Sequence, residues 1–101
     1  MPTNNMRPIH PGEILREEFL IPLTMTSEDL AHSLKIPVST VGGIINETCP
    51  ILPDLALRLA RYFGSSPEFW MDLQTAYDLR KTRQQISTTI EQEVFPRDRA
   101  A

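Results

Sequence analysis

The sequence predicts an all-α protein of five helices with a long fifth helix, and three observations carry that prediction. Apolar residues recur at three- and four-residue spacing in five separate segments. Those segments are punctuated by prolines, by Gly64 and by Ser/Thr residues placed as helix starts. Between Thr26 and Glu47 two of the segments are so short and so closely joined that one must cross the other.

Residues 1–9 carry Pro2, Asn4, Asn5 and Pro8 without periodicity and are expected to form a flexible lead-in. The first helix is expected to open at Pro11, which the first turn tolerates, with Glu13 favourable at its positive end. Leu15 and Phe19 share a face, and Pro22 is expected to end it. The second helix starts on a capping box, Thr26 with Asp29 three residues on, ahead of Leu30, Ala31 and Leu34. Ala31 is small enough to let a crossing helix approach. Lys35-Ile36-Pro37 is then the turn, with Ile36 as its buried plug.

The third helix is expected from Val38 to Asn46, with Val41, Ile44 and Ile45 inward and Ser39, Thr40, Gly43 and Asn46 outward. Gly42 and Gly43 each cost about 1 kcal/mol against Ala in a helix interior. The fourth helix opens at Pro53 and closes at Gly64, with Leu55, Leu59 and Phe63 on one face. The fifth starts after Ser65 or Ser66, with Pro67 in its first turn and Phe69, Trp70, Leu73, Ala76 and Tyr77 as a broad apolar face. Beyond Leu79 the apolar positions are Ile86, Ile90 and Val94. The run Ser87-Thr88-Thr89 favours helix poorly, and the alternation Ile86, Thr88, Ile90 also suits a strand. The expected organisation is a helix-turn-helix domain over 10–83, with the motif at 26–47, and a partly ordered extension over 84–101.

At 101 residues the chain has the length of one domain and buries a single core. No apolar run reaches the roughly 18 residues of a membrane span, and the start lacks an apolar signal core, so a cytoplasmic protein with no membrane partner is expected. A single Cys49 excludes an internal disulfide. The net charge of −3 counts mildly against nucleic acid and would also suit a basic protein partner. Catalysis is disfavoured. His10 and His32 lie far apart in sequence, Cys49 has no His or Cys at metal-ligand spacing, and Gly42-Gly43 lacks the Lys-Ser/Thr of a phosphate loop. No catalytic residue, cofactor or metal is expected. His32 reads as exposed or close to a phosphate, and Cys49 as a partly buried small apolar residue.

What the short helix pair does support is DNA binding. The second helix would cross the sugar-phosphate backbone with the amides near Ser27 and Glu28 facing a phosphate, and the third would enter the major groove by its N-terminal residues. The expected DNA-contacting residues are Ser27, Lys35, Val38, Ser39, Thr40, Gly43 and Asn46. Of these, Ser39, Thr40 and Asn46 can hydrogen-bond bases, and Val38 can touch a thymine methyl. The broad face of the fifth helix suggests a homodimer through Phe69, Trp70, Leu73 and Tyr77, although Phe69 and Trp70 would serve equally well to close the core.

HPGEILREEFLIPL at 10–23 and LARYFGSSPEFWMDLQTAYDLRKTR at 59–83 resemble the HigA/VapI antitoxins of the lambda-repressor-like (XRE) helix-turn-helix class. The resemblance spans about residues 6 to 83. Pro11-Gly12-Glu13 and Ser66-Pro67-Glu68-Phe69-Trp70 are its most specific parts. It implies a five-helix lambda-repressor-like domain that is dimeric and acts as the antitoxin of a type II toxin–antitoxin module. Such a protein represses its own operon at double-stranded operator DNA and neutralises a small basic toxin, a HigB-like ribosome-dependent mRNA endonuclease. The alternative is an antitoxin-like interaction protein that binds toxin without reading a specific operator. The departures lie in the reading helix. Val38 and Thr40 stand where Arg is common in the family, Gly42 and Gly43 where Asn and Glu are, and Lys35 where the turn usually has Gly. No Lys or Arg occurs between Lys35 and Arg58.

Overall fold

A computed structural model describes residues 7–97, and the assignments for 1–6 and 98–101 made above lie outside the described residues. The order is helix after helix. Helix α1 is built of three consecutive stretches, Pro11–Ile14, Leu15–Leu20 and Ile21–Leu23, the middle one wound in a π register. It is followed by α2 (Ser27–Leu34), α3 (Val38–Ile45), α4 (Pro53–Phe63) and α5 (Pro67–Glu93), with no strand among the described residues.

The sequence expectation of an end at Pro22 is corrected. Pro22 lies inside the last turn of α1, and the wide register lies immediately before it, with the Ile21 amide donating to the Arg16 carbonyl. A proline ring crowds the carbonyl four residues back, and a π turn moves that carbonyl away. The helix ends instead at Thr24, in the left-handed region (φ 56), with Thr24 N–H on the Ile21 carbonyl and Met25 N–H on that of Leu20. α2 closes the same way at Lys35 (φ 60), with Ile36 N–H on the Ala31 carbonyl, and α4 at Gly64 (φ 75). These are Schellman-type ends, for which glycine is the usual signal. Only Gly64 carries it.

The capping box on α2 forms as read from sequence. Asp29 N–H donates to Thr26 Oγ1 and Thr26 N–H to Asp29 Oδ2, each at 3.0 Å. Leu30, Ala31 and Leu34 then face inward to meet Val41 and Ile44 of α3, and Ile36 packs on the same cluster from the turn. Leu15 and Leu20 of α1, Leu55, Ala56, Leu59 and Ala60 of α4, Ile51 from the loop before α4, and Trp70 of α5 complete the core. The α5 helix does not stop at the expected domain boundary. Residues 84–93 continue it unbroken, so the strand alternative at Ile86–Ile90 is set aside.

The approach of α1 to α3 tolerates no side chain at Gly12, where a Cβ would lie 1.8 Å from the Ile44 carbonyl oxygen. A Cβ on Gly42, by contrast, would meet nothing within 4 Å. Gly12→Ala is therefore expected to destabilise the fold by about 3 kcal/mol or more, since backbone has to move. Gly42→Ala is expected to stabilise it by about 0.5–1 kcal/mol. Paired urea titrations of the two variants check both signs.

Candidate nucleic-acid interface

The α3 helix is aimed by contacts at both of its ends. At its start, Pro37 is held extended by its neighbours and accepts from Thr40 and Val41 through its carbonyl. At its end, the free carbonyls of α3 are taken up by groups from elsewhere. The Gly43 carbonyl accepts from the Thr48 and Cys49 amides and from Thr48 Oγ1, and the Ile45 carbonyl accepts from the Arg16 guanidinium at 2.7 Å. Arg16 also lies 3.5 Å from the Glu47 carboxylate. Glu47 itself turns the chain at φ 64.

The loop after α3 is fixed from two sides. Ile51 N–H donates to the buried Gln74 Oε1 at 2.7 Å, and Gln74 in turn donates to Asp78. His10 caps α1, accepting from Gly12 N–H at Nδ1, and its ring meets the Tyr77 ring edge-on at 4.8 Å between centroids. Burial holds the His10 imidazole pKa below its ordinary value, and a hydrogen bond to the Cys49 backbone and the charges of Glu47 and Asp78 only partly oppose this.

Among the expected DNA residues, Val38 and Ser39 are exposed at the start of α3, Thr40 is half-buried, and Asn46 is exposed at its end. Lys35 projects from the turn beside them, and Ser27 sits half-buried in the first turn of α2, just past the cap. Gly43 is a correction. It faces the closing loop, where a Cβ would come within 2.5 Å of Cys49 Sγ, and its neighbour Gly42 is the glycine that opens to solvent. A shift of one residue turns a helix by about 100°, which is enough to exchange the two faces. Cys49 itself is exposed rather than partly buried, and His32 is exposed.

The residues expected to meet a second copy separate. Trp70 is fully buried, with Nε1 donating to Ser65 Oγ, and its ring packs 5.0 Å from Phe19, so it is a core residue and cannot reach a partner. Tyr77 is engaged with His10, Leu73 packs on the core, and only Phe69 is exposed, over the same aromatic cluster. Sequence reasoning missed Arg16, Arg58 and Gln74. Arg58 donates to the Leu34 carbonyl at 2.8 Å, closing α2 as Arg16 closes α3. Nothing in helical periodicity points to these roles, because each partner lies more than twenty residues away.

Two short helices crossed over one buried seam, the second with its outer face free and its start exposed, define a helix-turn-helix protein of the DNA-binding class. No family model matches the chain. It is 47% identical over 81 residues to Virulence-associated protein I of Dichelobacter nodosus, covering 80% of this chain and 75% of that one. It is 42% identical over 77 residues to Antitoxin HigA-1 of Vibrio cholerae, covering 76% and 72%. Among solved structures it superposes on the Pseudomonas aeruginosa antitoxin HigA with its higBA promoter at a TM-score of 0.87 and 46% identity, covering 89% and 98%. The chain belongs to the HigA/VapI family of antitoxins and helix-turn-helix regulators. These relatives are antitoxins and regulators rather than enzymes. No helix among the described residues is long and apolar enough to cross a membrane.

The His10 contact has a pH signature. A pKa lowered on folding means that the unfolded chain binds the proton first, so the contribution is complete above the ordinary value near 6.5 and is lost as pH falls below it. The thermal midpoint is expected to drop between pH 7 and 5. In His10→Asn, where an amide replaces the cap without titrating, the drop becomes shallower. Calorimetry of both proteins across that range checks it.

Proposed function

We propose that this protein is the antitoxin of a type II toxin–antitoxin module, a cytoplasmic homodimer that binds its operator through α3 and neutralises a small basic endoribonuclease toxin. The observation that carries the reading is the exposed α3 start, Val38-Ser39, with the half-buried Thr40 behind it, presented on a helix whose far end is anchored to α1, within a fold shared with an antitoxin solved with promoter DNA. In this reading Ser39, Thr40 and Asn46 hydrogen-bond base edges and Val38 lies against a thymine methyl. Lys35 and the Ser27 amide hold phosphates on either side. Gly42 lets the α3 backbone lie close to the DNA, and Gly43 takes no part.

A second reading is favoured by one specific observation. The two arginines nearest the motif, Arg16 and Arg58, are spent on helix carbonyls and carboxylates, and α3 carries no basic side chain. A protein so arranged would keep its toxin partner and bind DNA weakly, without sequence preference. Titration against the DNA upstream of its own gene, at several salt concentrations, separates the two. The repressor reading expects binding at least about 10³-fold tighter than to unrelated DNA. Equal weak affinity for both sequences supports the interaction protein.

The groove geometry is tested from the same titration. A good bidentate pair to guanine is worth roughly 1–3 kcal/mol. Val38→Arg with Thr40→Arg is therefore expected to raise overall DNA affinity and steepen its salt dependence. No gain in affinity would mean that α3 does not enter the groove.

A further inference from the structure

Of the two histidines, His32 is exposed and His10 is buried where three elements meet. His10 Nδ1 accepts from the Gly12 amide at 2.9 Å, and its ring lies edge-on to Tyr77 of α5. A hydrogen bond to the Cys49 backbone ties it to the loop after α3. Gly12 is in turn the residue on which the Ile44 carbonyl rests. Nδ1 can accept a hydrogen only in the neutral imidazole, with the ring proton on Nε2. In the imidazolium both nitrogens donate, and two N–H groups cannot share the short space between Nδ1 and the Gly12 nitrogen. The cap therefore exists in one protonation state.

The structure also holds a place for the charged ring. An open cavity of about 200 Å³ lies beside His10, lined as well by Glu47, Cys49, Gln74, Tyr77, Asp78 and Lys81. Glu47 and Asp78 favour a charged imidazole there, while Lys81, over the Tyr77 ring at 5.6 Å, opposes it. Elsewhere on α1, Glu13 pairs with Arg7, and Arg16 with Glu17 and Glu47. Both cavity carboxylates already serve α3 and its loop. Glu47 lies 3.5 Å from Arg16, which holds the Ile45 carbonyl. Asp78 accepts from Gln74, which holds the Ile51 amide.

We infer that His10 is a proton-operated latch on α3. On protonation its ring leaves the Gly12 cap for the cavity between Glu47 and Asp78. It competes there with Arg16 and Gln74 and loosens the seat of α3 and its loop. Burial keeps the ring neutral down to pH values below the ordinary 6.5, so the latch opens in acid. The functional consequence rests on the operator-binding reading: the protein releases its operator as pH falls. The sign is diagnostic. Added positive charge alone strengthens attraction to phosphates, so a DNA binder without the latch binds more tightly in acid.

Nuclear magnetic resonance of the wild-type chain, titrated from about pH 7 to 5, follows the latch without DNA. The amides of Gly12, Ile44, Ile45 and Asn46 are expected to shift with the midpoint of the His10 ring. In His10→Asn, whose side chain caps without titrating, they are expected to stay still. Amides that do not follow His10, or that titrate equally in His10→Asn, would overturn the latch. Asp78→Asn, which keeps an acceptor for Gln74, is expected to lower the ring's midpoint, and an unchanged midpoint would overturn the cavity as its destination. Operator affinity is measured over the same range at constant salt and at a temperature where the chain stays folded. The wild type is expected to lose at least about fivefold, and His10→Asn, which keeps His32, to hold its affinity or gain. A wild-type affinity that holds or rises in acid would overturn the link to DNA. Equal binding to operator and unrelated DNA at neutral pH would overturn the repressor reading alone, because the amide shifts report the latch itself.

Discussion

Gly12 has no side chain, and because of that the first turn of α1 rests directly on the last turn of α3. The Ile44 carbonyl lies where a Cβ would be, so the two backbones meet without any side chain between them. This approach brings the other anchors into range. His10 is placed to cap α1 from beneath Tyr77, and Arg16, one turn further on, reaches the Ile45 carbonyl. A helix end carries unsatisfied carbonyls and partial negative charge, so a guanidinium there supplies both a donor and a favourable field. α3 is thus held at its C-terminal end by a different element of the chain, and its N-terminal end is left exposed.

That arrangement bears on how the chain uses its few cations near the motif. An acidic chain with one lysine near its reading helix looks poorly suited to DNA, and its composition implies as much. The structure shows what the two arginines nearest the motif contact. Arg16 and Arg58 each complete a helix of the motif by donating to its terminal carbonyls. Pairing with Glu47 and Asp54 neutralises them further. The scaffold gains rigidity from the residues that would have given it long-range attraction for the phosphate backbone.

Much of the fold was legible because its signals are local. The Thr26–Asp29 box, the Pro53 and Pro67 starts and the Gly64 stop all act within a turn of themselves and appear where the sequence places them, while the Ile36 plug packs on the core but is only half-buried. What was not legible depends on distant chain. The left-handed ends at Thr24 and Lys35 carry no glycine to announce them, and they persist because Met25 and Ile36 are packed beyond them. The π turn needs the clash at Pro22 to be weighed against continued helix. Gln74 sits among exposed polar neighbours in sequence and is buried only because the loop at Ile51 comes to it. In the candidate site the helix was read correctly, but the phase of its two glycines was not, since only the Cys49 loop distinguishes them.

The same distinction bears on how α3 would read DNA. With its basic residues absent, its outer face offers a valine, two hydroxyls, an amide and a bare stretch of backbone at Gly42. Hydroxyls bond to several base edges and discriminate weakly. On the proposed docking, apolar contact with thymine methyls and close shape fit would make up the larger share of what is left. Shape fit is effective only if the helix is presented at a fixed height and angle, because a surface without long side chains cannot compensate for a shift of an ångström. The rigid seat that Gly12, Arg16 and Gln74 build under α3 and its loop meets that requirement. A reading helix with short side chains and a firmly anchored C-terminal end form one consistent design.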